Sequence, residues 1–173
     1  LVDPIVRISD YRTDFVAAVE PSPELHTPAL YLPPEDFFNK PVTQAADIWT
    51  LGVNLYEVLG EISTLGRPPS RWWGKWENRK GFFASDGSWL RKIRICTPGS
   101  RPLSQQMWDM GRGETPETCQ WAVEGGEMRA LEDLLRGMLK FEPAERLSAE
   151  ELMTSEYMVK WAMPAWERQL QRS

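Results

Sequence analysis

The sequence has little that offers metal or redox chemistry. It holds two cysteines and one histidine in 173 residues. Cys96 and Cys119 lack the close spacing of a metal or redox motif. They read as free thiols of a reducing compartment. His26 has no second histidine to share a metal site and reads as a solvated loop residue. No apolar run approaches the ~20 residues that cross a bilayer. The first residues lack the charged-then-apolar pattern of a signal peptide. There is no internal repeat and no low-complexity tract. The expectation from these absences is an intracellular protein, cytoplasmic or nuclear, without a membrane partner.

What is present is globular in composition. Hydrophobic residues make up 42% of the chain, enough for a real core and against wholesale disorder. The length suits one ordinary domain. Nine tryptophans are a heavy load for this size. The net charge of −5 is unevenly spread: Arg71 to Arg101 carries eight basic and two acidic residues, a local balance of +6. Trp72, Trp73, Trp76 and Phe82-Phe83 lie within that stretch. Interleaved aromatics and cations can stack bases and track phosphates. No nucleic-acid module motif accompanies them, so the stretch reads as an insertion whose tryptophans pack on the domain. Nucleic acid is not an expected partner.

Residues 46–59, Ala-Asp-Ile-Trp-Thr-Leu-Gly-Val-Asn-Leu-Tyr-Glu-Val-Leu, are apolar on nearly every side, which predicts a buried central helix. Thr43 can cap its start, and Gly60 stands where a helix-ending glycine would. Asp47 is the odd residue. Buried near a helix start, its carboxylate needs a partner; it complements the helix dipole, holds a neighbouring loop, or does both. Leu1-Val2 and Ile5 to Ser9 read as short strands around Asp3-Pro4. A polar, proline-bearing segment follows to about Pro28. Pro33-Pro34 forbids helix and sets an extended or turn path. Asp86-Gly87 reads as a turn, and one short helix fits near Leu103 to Met110. Met128, Leu131, Leu135, Met138 and Leu139 recur at helical spacing, predicting a helix from about Glu127 to Lys140 that Pro143 ends. Ser148-Ala149-Glu150-Glu151 is a capping box, with Leu147 and Leu152 as its staple. A short terminal helix follows Pro164.

The order of these pieces resembles the second half of a eukaryotic protein kinase catalytic domain. Tyr31-Leu32-Pro33-Pro34-Glu35 is similar to the family's Ala-Pro-Glu motif, with Pro33 for alanine. Asp47-Ile48-Trp49-Thr50-Leu51-Gly52 matches the Asp-x-Trp-x-x-Gly start of the large C-lobe helix. Leu139 to Ala149 resembles the leucine–proline–arginine run between the family's last two helices. The insertion from Pro69 to Trp76, with Phe82-Phe83 and Asp86-Gly87, is similar to serine/threonine kinases related to the SR-protein kinases, especially fungal ones. The fold implied is mainly α, a kinase-like C-terminal lobe with a short β-hairpin at its N-terminal end. It implies a partial kinase domain over residues 1–160, from activation segment to the last C-lobe helices, and a tail over 161–173.

The resemblance also implies roles. Asp10, in Asp10-Tyr11-Arg12, falls where the family's metal-binding aspartate stands, 25 positions before Glu35. In the family that aspartate holds the Mg2+ that bridges the nucleotide phosphates. A hard cation wants carboxylate oxygen, so the residue type is right. Glu35 and Arg146 are expected to form a buried ion pair that ties the activation segment to the lobe. Asp47 is expected to accept hydrogen bonds from the catalytic loop, and Thr27 falls at the substrate loop. Tyr11 for phenylalanine is a mild departure. Arg12 for glycine is not, because glycine adopts backbone angles that arginine reaches only at a cost.

The glycine-rich loop, the strand lysine and the His-Arg-Asp loop are absent from this sequence. In the family they come before the position of Leu1. The resemblance therefore implies ATP and Mg2+ as cofactors of a complete kinase, with neither bound tightly and no catalysis by this chain alone. The substrate implied is a protein hydroxyl, in a basic Ser/Arg-rich protein by the finer likeness. The competing expectation is a degenerate kinase-like interaction module without catalysis. A basic–aromatic nucleic-acid binder stands third.

Overall fold

The structure is a computed structural model and describes residues 14–16, 18–22, 24–27, 31–38, 40–57, 69–76, 79–80, 84–85, 103, 107, 121 and 124–171. The regular elements among these residues are all helical. The order is α1 (Pro34–Phe37), α2 (Ala45–Glu57), α3 (Ser70–Trp73), α4 (Glu127–Met138), a 3-10 turn (Pro143–Glu145), α5 (Ala149–Met153), a π turn (Met158–Ala162) and α6 (Met163–Leu170). The expected N-terminal hairpin, Asp10 to Arg12, Gly60, Asp86-Gly87 and both cysteines lie outside the described residues.

The core forms where α2 crosses α4. Trp49 and Val53 meet Leu131, Leu134, Leu135, Met138 and Leu139, with Leu103, Met107, Trp121 and Leu152 closing the cluster. Leu103 and Met107 are both helical and buried. Trp121 is fixed among them by its indole N–H, which donates to the Met107 carbonyl at 3.0 Å. Burying each large apolar side chain of this kind contributes about 1.5–3 kcal/mol. Gly52 allows the close crossing: a Cβ there would stand 3.0 Å from both Leu139 Cδ2 and Met138 Cβ.

Three expectations change. Residues 46–59 were expected to be buried all round, yet α2 is buried on one face. Ala46, Trp49 and Val53 are covered, while Leu51 and Leu55 are 47% and 36% exposed. Among the described residues, the elements that pack most against α2 are α4 and the 3-10 turn. Pro33-Pro34 does not exclude helix. Pro33 is extended (φ −69°, ψ 147°) and Pro34 opens α1, a position where a missing N–H costs nothing. Nor does the terminal helix start after Pro164: residues 156–170 are helical without a break.

The local signals hold. Thr43 Oγ1 accepts the Ala45 N–H at 3.3 Å, one residue earlier than the helix start expected. Ser148 Oγ accepts the Glu151 N–H, and the Ser148 N–H donates to Glu151 Oε2 at 2.7 Å, so the capping box is complete. The backbone and then the side-chain hydrogen bond from Ser148 hold the Glu151 carboxyl below its ordinary 4.5.

The end of α4 gives a test. A Cβ on Gly137 would stand 2.5 Å from Leu147 Cδ1 and 2.8 Å from its Cγ. Leu147 cannot retreat freely, since its N–H donates to the Gly137 carbonyl at 3.1 Å. Gly137→Val should cost about 1–3 kcal/mol by overpacking. Gly74→Ala should cost nothing, because its Cβ comes no nearer than 3.6 Å to the Ser70 oxygen. Urea unfolding of the two variants reads the difference, and equal midpoints would contradict it.

Candidate functional site

Arg146 lies at the junction of four chain segments. It follows the 3-10 turn, which carries it inward from the end of α4. Its guanidinium meets Glu35 of α1 in a two-pronged contact, Nη1 to Oε1 at 2.8 Å and Nη2 to Oε2 at 2.5 Å. Both side chains are 0% exposed. Nε donates to the Lys140 carbonyl at 2.8 Å, Nη1 to the Ala45 carbonyl at 2.8 Å, and Nη2 to the Phe141 carbonyl at 3.3 Å. Arginine has five N–H donors, and all five are used. Its Cζ lies 5.1 Å from the Trp49 ring centroid, so the charge also rests on an aromatic face. A buried ion pair offsets its desolvation only when such bonds are complete.

Glu35 is placed by its own backbone as well as by Arg146. Its carbonyl accepts the N–H groups of Phe38 and Lys40, which wraps the chain after α1 around the carboxylate. Nearby segments are fastened by longer-range bonds. Val42 N–H donates to Ser22 Oγ at 3.0 Å, and Thr50 Oγ1 donates to the Tyr31 carbonyl at 3.4 Å. Asp36 stands beside Glu35. Burial pushes its carboxyl above the ordinary 3.8, and the charges of Glu24 and Glu35 push it further.

The structure thus brings Glu35 and Arg146 together. Asp47 sits apart from that contact, exposed in the first turn of α2. Its carboxylate meets no hydrogen-bond donor among the described residues. Thr27 is half-buried and makes no side-chain hydrogen bond among them. Asp10 lies outside them. Among the described residues no group of three acidic, histidine or cysteine side chains could hold a metal ion. No described helix is long and apolar enough to cross a membrane.

Sequence reasoning missed the carbonyls of Ala45, Lys140 and Phe141 as ligands of Arg146. Backbone acceptors carry no residue signature, so nothing in the sequence marks them. It also missed how the tryptophan-rich insertion is held. Trp72 is buried, edge-on to Phe38 at 4.8 Å, with Lys40 Nζ 4.4 Å over its ring. Its face is therefore closed to a nucleobase. Arg71 bonds Glu142 through Nε at 2.7 Å and Nη2 at 2.6 Å, joining the insertion to the chain after α4.

The protein kinase domain model matches residues 3–158. The chain belongs to the protein kinase domain family. No curated protein matched it.

Two outcomes follow. Arg146→Ala should cost about 3–5 kcal/mol, because it leaves the Glu35 carboxylate buried and unpaired. Arg71→Ala should cost under about 1 kcal/mol, since Arg71 is 63% exposed. Chemical denaturation of both checks this, and similar losses would refute the hub role of Arg146. The second concerns pH. A carboxyl whose pKa is raised by folding binds its proton more tightly when folded, so stability falls as pH rises from the ordinary value through the raised one. Asp36→Asn should therefore melt higher than the native chain at pH 7. That gain should fade as pH drops below the ordinary 3.8; a gain independent of pH would count against the cause given.

Proposed function

We propose that the chain is the C-terminal part of a serine/threonine protein kinase. The complete enzyme transfers the ATP γ-phosphoryl group to protein hydroxyls with Mg2+, in a basic Ser/Arg-rich substrate. The observation that carries this reading is the two-pronged Glu35–Arg146 pair. It fastens the Tyr31 to Glu35 segment to the chain before α5, within the span matched by the family. The residue pattern supports the serine/threonine type and the SR-protein-kinase likeness. In this reading Asp10 is the metal aspartate, Asp47 receives the catalytic loop, and Thr27 belongs to the substrate loop. Positioning and charge stabilisation supply nearly all of phosphoryl-transfer catalysis. The phosphate-cradling loop, the lysine and the base are not in this sequence, so the chain alone is inactive.

One observation favours a second reading. Arg12 stands where the family has glycine. That departure suits a degenerate kinase-like module that binds partners without catalysis.

An antibody against residues 72–89 isolates the endogenous protein. A polypeptide well above 19.9 kDa that phosphorylates a Ser/Arg-rich peptide and not a tyrosine peptide supports the first reading. A protein that transfers no phosphate to either supports the second. The chain of 173 residues, purified by itself, should show no Mg2+-dependent labelling of a generic substrate; labelling above a boiled control would overturn that part.

A further inference from the structure

Residues 156–170 form one helical run that continues past residue 158, where the family match ends. Pro164 explains its shape. It is among the first two residues of α6, and it lacks the N–H that would donate to the Lys160 carbonyl. The run opens there into a π turn, Met158–Ala162, where the Met163 N–H donates to the Met158 carbonyl. The inner side of the run faces the domain: Tyr157 packs against the core, and Trp161 stacks on it at 6.2 Å.

Val159, Met163, Trp166 and Leu170 recur four, three and four residues apart, and of these Met163 is half-buried. Val159, Trp166 and Leu170 are 53%, 59% and 55% exposed. This spacing is the seam of a two-helix coiled coil. Lys160 and Glu167 each follow a seam residue by one position, so both lie on the same flank. Ala162 and Gln169 line the other flank and carry no charge. Lys160 is bonded to Glu156 at 2.6 Å, but that pair is more than half exposed. Glu167 has no cation partner among the described residues.

We infer that this helix is a self-association surface, pairing antiparallel with the same helix of a second copy. One antiparallel register stacks Val159 on Leu170 and Met163 on Trp166 of the other copy, and uses every seam residue. Antiparallel pairing brings like flanks together. The same register therefore sets Lys160 of each copy beside Glu167 of the other, twice over. Parallel pairing would set both charges against the uncharged flank. A lipid surface fits less well, because an interfacial helix is rich in Lys and Arg on its polar face, whereas this flank carries a glutamate as well as a lysine.

Sedimentation of the whole chain across a concentration series tests the inference. Its mass should rise from 19.9 kDa toward twice that value, and Trp166→Asp should stay monomeric throughout. Lys160→Glu and Glu167→Lys should each weaken association about tenfold. A one-to-one mixture of those two variants should recover native association, because one copy then presents two acids to two bases. Circular dichroism of each variant should match the native helix content. A monomer at every concentration, association indifferent to Trp166→Asp, or a mixture no stronger than its separate components would overturn the inference.

Discussion

A guanidinium with no spare donor holds this structure together. Arg146 uses two N–H groups on Glu35 and three on the carbonyls of Ala45, Lys140 and Phe141. Those acceptors belong to α1, the start of α2 and the chain after α4. Lysine could not replace it, because an ammonium has three donors and no planar fork. The placement of α2 against α4 depends on this contact as well as on the apolar core. Trp49 joins the two, since it is buried in that core and carries Arg146 on its face.

Local physics was the most legible part of the sequence. The Ser148–Glu151 box involves groups three residues apart, so the chain itself sets their geometry. The periodic run through α4 was legible for the same reason. The Glu35–Arg146 pair spans 111 residues, and nothing local connects its halves; a motif resemblance brought it into view. The exposure of α2 was not legible. Composition says which residues are apolar and not which neighbours arrive, so Leu51 and Leu55 read like Val53. Proline misled twice, for two reasons. Pro34 opens a helix, where a missing N–H is harmless, and the missing N–H of Pro164 is absorbed within a continuous helical run by the π turn before it.

The tryptophan-rich insertion shows how aromatic and charged residues can serve packing. Trp72 is buried under Lys40 and beside Phe38, while Arg71 reaches Glu142 beyond α4. The cations and the ring face are covered by the protein itself, while the buried Trp72 indole N–H has no hydrogen-bond partner among the described residues. A basic, aromatic composition therefore does not by itself define a polyanion surface. The charge that remains outward must be judged from exposure and partners.

The distance along the chain between Glu35 and Arg146 also has a temporal side. Glu35 leaves the ribosome long before its partner is made. At about 5–20 residues per second, the 111 residues after Glu35, up to and including Arg146, take roughly 6–22 s to synthesise. Through that interval the carboxylate has no guanidinium to accept, so it stays hydrated and α1 has no anchor. The early segments must then remain open or be sheltered by other factors. Docking of α1 onto the lobe is consequently a late event in the life of a nascent chain, gated by the arrival of one arginine.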